Sequence, residues 1–229
     1  MSRIQKAYET RFRWLLGGVR ARRLDQGVQW LVQKARRMSA DMAMPLSDAL
    51  TRIYGELATR RGFVQHQQLP EPVHFFCDAG LGGLARWLRA AGYEAEWEAG
   101  IDDDELLRRA REIAAVILTT DSMLMERRLL RDRVIPSLWL PPTLKIPEQL
   151  ALVFCEFRLR VRRHRCMACG GELCTVDKEQ MRERIPPKTY RWRDDYLLCG
   201  RCGKLFWHGT HWERMKRALN ELGGGRHDA

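Results

Sequence analysis

The stretch from Val73 to Asp121, VHFFCDAGLGGLARWLRAAGYEAEWEAGIDDDELLRRAREIAAVILTTD, decides the fold. It opens on Val73-His74-Phe75-Phe76-Cys77, a short apolar run closed by Asp78, which reads as a buried strand. Leu81, Leu84, Ala85, Leu88 and Ala91 then recur at helical spacing, and Gly92 stops the helix. Tyr93 to Trp97 reads as a second strand. Asp102-Asp103-Asp104-Glu105 opens another helix, with Leu106, Leu107, Ala110 and Ile113 on its apolar side and its acids where the helix dipole favours them. Ala114 to Leu118 is a third strand, ending in Thr119-Thr120-Asp121. Repeated β-α-β units predict an α/β fold, a parallel sheet with helices on both faces. Right-handed crossovers then bring the carboxyl ends of all the strands to one edge.

Outward from this stretch the pattern continues. Ser122 to Arg131 reads as a helix, Val134 to Leu140 as a fourth strand before Pro141-Pro142, and residues 147–160 as a further helix. Upstream, apolar residues recur every three or four positions (Phe12, Leu15, Leu16, Val19; Val28, Leu31, Val32, Ala35; Leu46, Ala49, Leu50, Ile53, Leu57). That spacing predicts about three basic helices over residues 1–70, one starting after Pro45 and stopping at Arg60-Arg61-Gly62. Pro70-Glu71-Pro72 reads as a boundary. The expected layout is a helical region over 1–70, an α/β domain over 71–160, a cysteine-bearing module over 161–217 and a tail over 218–229.

Composition narrows the function. The chain has 229 residues, a net charge of +11, a pI near 9.7 and a mean hydropathy of −0.43. No apolar run approaches the roughly 18–20 residues of a membrane span, so an integral membrane protein is excluded. The start, MSRIQKAYETRFRWLLGG, lacks the apolar core of a secretory signal, and the cytoplasm is the expected compartment. Charge is uneven: residues 1–70 hold 13 Lys/Arg against 5 Asp/Glu, residues 71–150 hold 10 against 14, and residues 151–229 hold 17 against 10. Basic flanks suit a polyanion, and an acidic middle suits divalent cations.

Asp78 and Asp121 each end a strand, and Asp102 to Asp104 follow another, so carboxylates from three segments are expected at one rim, where ligands of open parallel sheets bind. Gathered carboxylates repel unless a cation sits among them, and hard oxygen donors select Mg2+ or Mn2+. Such a site hydrolyses phosphodiesters. Two other readings use the same residues. Asp103 or Asp104 could simply cap the helix. Gly80-Leu81-Gly82-Gly83-Leu84-Ala85, with Glu96 or Glu98 downstream, matches a dinucleotide fingerprint, although Asp78 would repel a pyrophosphate there.

Seven cysteines without an export signal argue against a disulfide framework. Cys166-x-x-Cys169 and Cys199-x-x-Cys202, with 29 residues between the pairs, predict a closed four-thiolate zinc ribbon of structural role. Cys174, His208 and His211 are spare candidates, and Cys77 and Cys155 read as core thiols. Basic residues interleaved with aromatics around the ribbon suit RNA, whose bases stack on rings while phosphates meet guanidinium groups. Arg86, Arg162, Arg163, Arg193 and Trp212 are the residues expected to meet RNA.

The stretch FFCDAGLGGLARWLRAAGYEAEWEAGIDDDELLRRAREIAAVILTTDSML, together with the two cysteine pairs, RIPPKTYRW and FWHGTHWERM, resembles the Mut-seven C-terminal RNase family over roughly residues 72–217. The resemblance implies a PIN-like Rossmannoid fold in which acidic residues bind Mg2+ or Mn2+ for RNA cleavage. By position the first acid is Asp78, the second Asp103 with Asp104 adjacent, and the third Asp121. The family usually reads T-R-D where this chain has Thr119-Thr120-Asp121, and Asp132 is the candidate for a fourth acid. The expected function is a metal-dependent ribonuclease. The alternative is a non-catalytic RNA-binding factor acting on structured RNA such as tRNA or ribosomal RNA.

Overall fold

The amphipathic spacing of the first sixty residues produces helices α1 (Arg3–Gly18), α2 (Leu24–Asp41) and α3 (Leu46–Arg60). They belong to a computed structural model that describes residues 3–18, 21–60 and 72–223. The expected boundaries at Arg61-Gly62 and Pro70-Glu71, and the last residues of the tail, lie outside the described residues. The chain forms two compact units, each assembled from two separated segments: Met1–Leu69 with Thr119–Leu159, and Pro70–Leu118 with Arg160–Ala229.

In the first unit, Tyr8 and Phe12 of α1, Val28, Leu31 and Val32 of α2, and Leu50 and Ile53 of α3 form the buried face that the apolar spacing calls for. Trp139, the last residue of β4 (Ser137–Trp139), is 2% exposed. The rings of Tyr8 and Tyr54 meet it edge-on, each with centroids 5.3 Å away. Tyr8 shares a hydrogen bond with Thr51, whose hydroxyl also meets that of Thr143. Helix α7 (Ile146–Glu156) carries Pro147 in its first turn and buries Leu150, Val153 and Phe154.

Two elements here are shorter than their patterns predict. The helix expected over 122–131 is broken into a 3-10 turn at Leu124–Glu126 and the short α6 (Arg128–Arg131), because Arg127 between them is extended (φ −58°, ψ 135°). The strand expected from Val134 begins only at Ser137, since Pro136 has no N–H to give to a ladder.

The second unit contains β1 (His74–Cys77), α4 (Gly82–Ala90), β2 (Glu94–Trp97), α5 (Asp103–Glu112) and the start of β3 (Val116–Thr119). β1 pairs in parallel with β2, Phe75 opposite Ala95, and with β3, Phe76 opposite Ile117. The parallel sheet has the order β2-β1-β3-β4 and is flanked by helices, as the β-α-β reading requires. Further on, β5 (Leu173–Val176), β6 (Tyr196–Cys199) and β7 (Leu205–Trp207) form an antiparallel sheet of that order, with α8 (Pro187–Trp192) inserted and α9 (Thr210–Gly223) following. No helix among the described residues is long and apolar enough to cross a membrane.

Candidate functional site

Asp78 follows β1 directly, and its backbone N–H donates to the Leu118 carbonyl at 2.9 Å, so the β1–β3 ladder runs one rung past the strand. Its side chain is half-buried. At α5 the capping role falls to Asp102, whose carboxylate accepts from the Glu105 N–H at 2.9 Å. Asp103 and Asp104 stand instead in the exposed first turn. Asp121 is exposed and closes a turn: its carboxylate accepts from the Met123 N–H at 2.7 Å, and its own N–H donates to the Thr119 hydroxyl at 2.9 Å. Asp132 is bound by Arg131 at 3.0 Å and Arg128 at 3.5 Å, and the Arg131 hydrogen bond holds its carboxyl below the usual range. Among the described residues, the only group of three or more ligating side chains within 4.8 Å of one another is made of cysteines.

The glycine-rich turn has a different explanation from a phosphate cradle. A Cβ on Gly82 would lie 2.6 Å from the Trp97 indole, whose N–H donates to the Ala79 carbonyl at 2.8 Å. Glycine is needed at this turn because the Trp97 ring occupies the space a Cβ would take. Glu96 and Glu98, the ribose candidates, both accept from Arg109, at 2.9 and 2.6 Å.

That cysteine group is Cys166, Cys169, Cys199 and Cys202. The Sγ atoms are 3.7 Å apart for Cys166 and Cys202 and 3.5 Å apart for Cys169 and Cys199. A tetrahedron of thiolates at the usual zinc–sulfur bond length has edges of about 3.8 Å, so the cluster fits a structural metal such as zinc. Each pair is shaped alike: Gly170 N–H donates to the Cys166 carbonyl at 2.7 Å and Gly203 N–H to that of Cys199 at 2.9 Å, with φ of +77° and +67° at the two glycines. Backbone N–H groups of Gly171 and Cys202 approach the Cys169 and Cys199 sulfurs at 3.4 and 3.5 Å. A Cβ on Gly171 would fall 2.9 Å from the Cys199 sulfur. Cys77, Cys155 and Cys174 stand outside the group, and the His211 side chain lies outside the described residues.

Two residues that sequence reasoning missed hold this cluster in place. Arg89 is 7% exposed, and its guanidinium donates to the carbonyls of Ala95 at 2.7 Å, Met167 at 3.1 Å and Ala168 at 2.9 Å. Glu94 of β2 accepts from Arg165 at 2.9 Å and Arg201 at 3.0 Å, and meets His74 at 3.0 Å. Partial burial pushes the Glu94 carboxyl up, but the Arg201 hydrogen bond and the surrounding positive charge outweigh it and hold it below its ordinary value. The available signal was a basic residue, Arg89, beside the apolar stripe of α4.

Of the residues expected to meet RNA, Arg86, Arg162, Arg163 and Arg193 are all exposed. Arg162 lies over the Tyr93 ring at 4.8 Å, and Arg163 reaches the Leu173 carbonyl at 3.3 Å. Trp212 corrects the expectation of base stacking: it is 8% exposed, edge-on to His164 at 4.5 Å and stacked on His208 at 5.3 Å, so its faces are used within the fold.

No curated protein and no solved structure matches this chain. A family model described as the Mut7-C RNAse domain matches residues 73–219, the region that carries both the strand-end carboxylates and the cysteine cluster. With more than half of its length so matched, the chain belongs to the Mut7-C RNAse domain family.

Proposed function

We propose that this chain is a metal-dependent ribonuclease, hydrolysing RNA phosphodiester bonds with Asp78, Asp103, Asp104 and Asp121. The observation that carries the reading is the set of carboxylates in the segments that follow parallel strands: Asp78 directly after β1, Asp103 and Asp104 at the start of α5 after β2, and Asp121 after β3, in a chain of an RNase-domain family. Carboxylate oxygens are the hard donors that Mg2+ and Mn2+ take, and Mg2+ keeps several waters while using only one or two carboxylates, so residues of this type suit such an ion. A bound ion of this kind supplies a polarised water and neutralises charge on the departing oxygen. The chain's own residues fix the donors. Asp78 is tied to the β3 backbone, Asp121 is closed into its turn, and Asp102 does the capping of α5 in place of its neighbours. Arg86, Arg162, Arg163 and Arg193 would meet RNA phosphates, and the four cysteines would hold a structural Zn2+ with no open position.

One observation favours a second reading, a non-catalytic RNA-binding factor acting on tRNA or ribosomal RNA. Thr120 stands where the family usually carries arginine, and its carbonyl accepts the Trp139 indole N–H at 3.1 Å. The two readings part when purified protein is incubated with mixed cellular RNA and Mn2+ or Mg2+, beside the double variant Asp78→Asn/Asp121→Asn. Cleavage by the unaltered protein that vanishes in the variant is expected. RNA bound without cleavage by either overturns the enzyme in favour of the binding factor.

A further inference from the structure

Trp192 is 82% exposed, more than any other large apolar side chain among the described residues. It ends α8, and that helix is fixed from both sides. Pro186 and Pro187 set its entry, and the Tyr190 N–H donates to the Pro186 carbonyl at 3.0 Å. Beyond it, the hydroxyl of fully buried Tyr196 shares its one proton between the carbonyls of Thr189 at 3.3 Å and Arg193 at 3.2 Å. A short, pinned helix therefore holds out a ring that adds almost nothing to the core, although an indole is among the largest apolar surfaces a fold can bury. Neighbouring Tyr190 shows the contrast: its hydroxyl meets Glu179 and its ring lies 4.5 Å from the Lys178 ammonium. Trp192 has no such ring or cation partner among the described residues. Lys188 lies one helical turn earlier, and Arg191 and Arg193 are the chain neighbours of Trp192, all of them exposed.

We propose that Trp192, with Arg191 and Arg193, is a stacking platform for an unpaired RNA base, so that the cysteine-bearing module takes single-stranded RNA. The proposal rests on the reading of RNA as ligand. An indole face accepts any base, whereas bases inside a duplex are already stacked on one another. The adjoining guanidinium groups meet phosphates on either side of the stacked base. The platform thus gives a preference for single strands without a preference for sequence.

The test measures binding of the full chain, with its metal retained and no Mg2+ or Mn2+ added, to a labelled oligouridine of about ten nucleotides. A duplex of equal length is the comparison. Trp192→Ala is expected to weaken the single strand by about five- to a hundredfold, the range of one lost base stack, with little effect on the duplex. Trp192→Phe should restore most of the affinity. Because a stack releases no counterions, Trp192→Ala should leave the dependence of affinity on salt unchanged, whereas Arg193→Ala should lower its slope by about 0.7. If the unaltered chain binds the single strand and Trp192→Ala binds it equally well, the platform alone is overturned. If the unaltered chain binds neither RNA, the RNA reading falls and takes the platform with it.

Discussion

Glu156, the last residue of α7, has a side chain 9% exposed, and burial pushes its carboxyl up to about 7. The folded state therefore holds this proton more tightly than the unfolded chain does. Its contribution to stability is highest below the ordinary carboxylate value of about 4.5 and declines as pH rises to about 7, where the buried group must ionise. Denaturant titrations between those two values should show the unaltered chain losing stability relative to Glu156→Gln, with the difference levelling off above neutrality. A curve parallel to that of Glu156→Gln would contradict the assignment. At this scale the sequence was legible where a residue's role follows from its place along the chain. The place of Asp78 just past β1 and the grouping of the four cysteines are of this kind, because strand ends and paired spacing are written locally. It was not legible where the role depends on a distant partner: Trp212 resembles a surface aromatic in the sequence and is covered by His164 from another segment.

Helix α4 does more than cover the sheet. Arg89 in its last turn places one guanidinium between a β2 carbonyl and two carbonyls of the first cysteine pair. Arg89→Ala would leave three carbonyls without that donor, at about 1–3 kcal/mol for each that stays buried. The expected outcome is a clear drop in denaturation midpoint together with faster loss of metal to a chelator. Arg89→Lys should recover only part of either, since an ammonium is a point donor and lacks the guanidinium fork. Elements themselves were read well where periodicity is sustained, as in α2, α4 and α5, and where a strand is wholly apolar, as in β1 and β3. They were overextended where one residue breaks an otherwise good pattern. Arg127 divides the helix after β3, and Pro136 trims β4, though the surrounding apolar residues would continue each element.

Over the whole molecule, the family match begins at residue 73, whereas the unit that includes β4 and α7 also draws on residues 1–69. Tyr8 and Tyr54 supply two walls around Trp139, so the N-terminal helices are part of a core the matched region cannot complete alone. Residues 73–219 produced without the first 72 should bind the dye anilinonaphthalene sulfonate and melt lower than the full chain, while taking up added Zn2+ as the full chain does. That uptake separates a lost core from general unfolding, because all four cysteines remain present. Equal melting temperatures would show the helices to be dispensable.

The interleaving of segments also sets a timetable. Arg11 and its partner Glu126 are 115 residues apart in the chain, and Thr51 and Thr143 are 92 apart. At translation rates of 5–20 residues per second, Arg11 waits about 6–23 s for Glu126 to be made. Throughout that interval the inner faces of α1 and α3 lack the Trp139 strand they will cover, and the chain of the other unit's first segment is being made in between. Neither unit can close before the other has begun. The nascent chain therefore leaves these apolar helix faces uncovered for seconds, and slower translation lengthens their exposure.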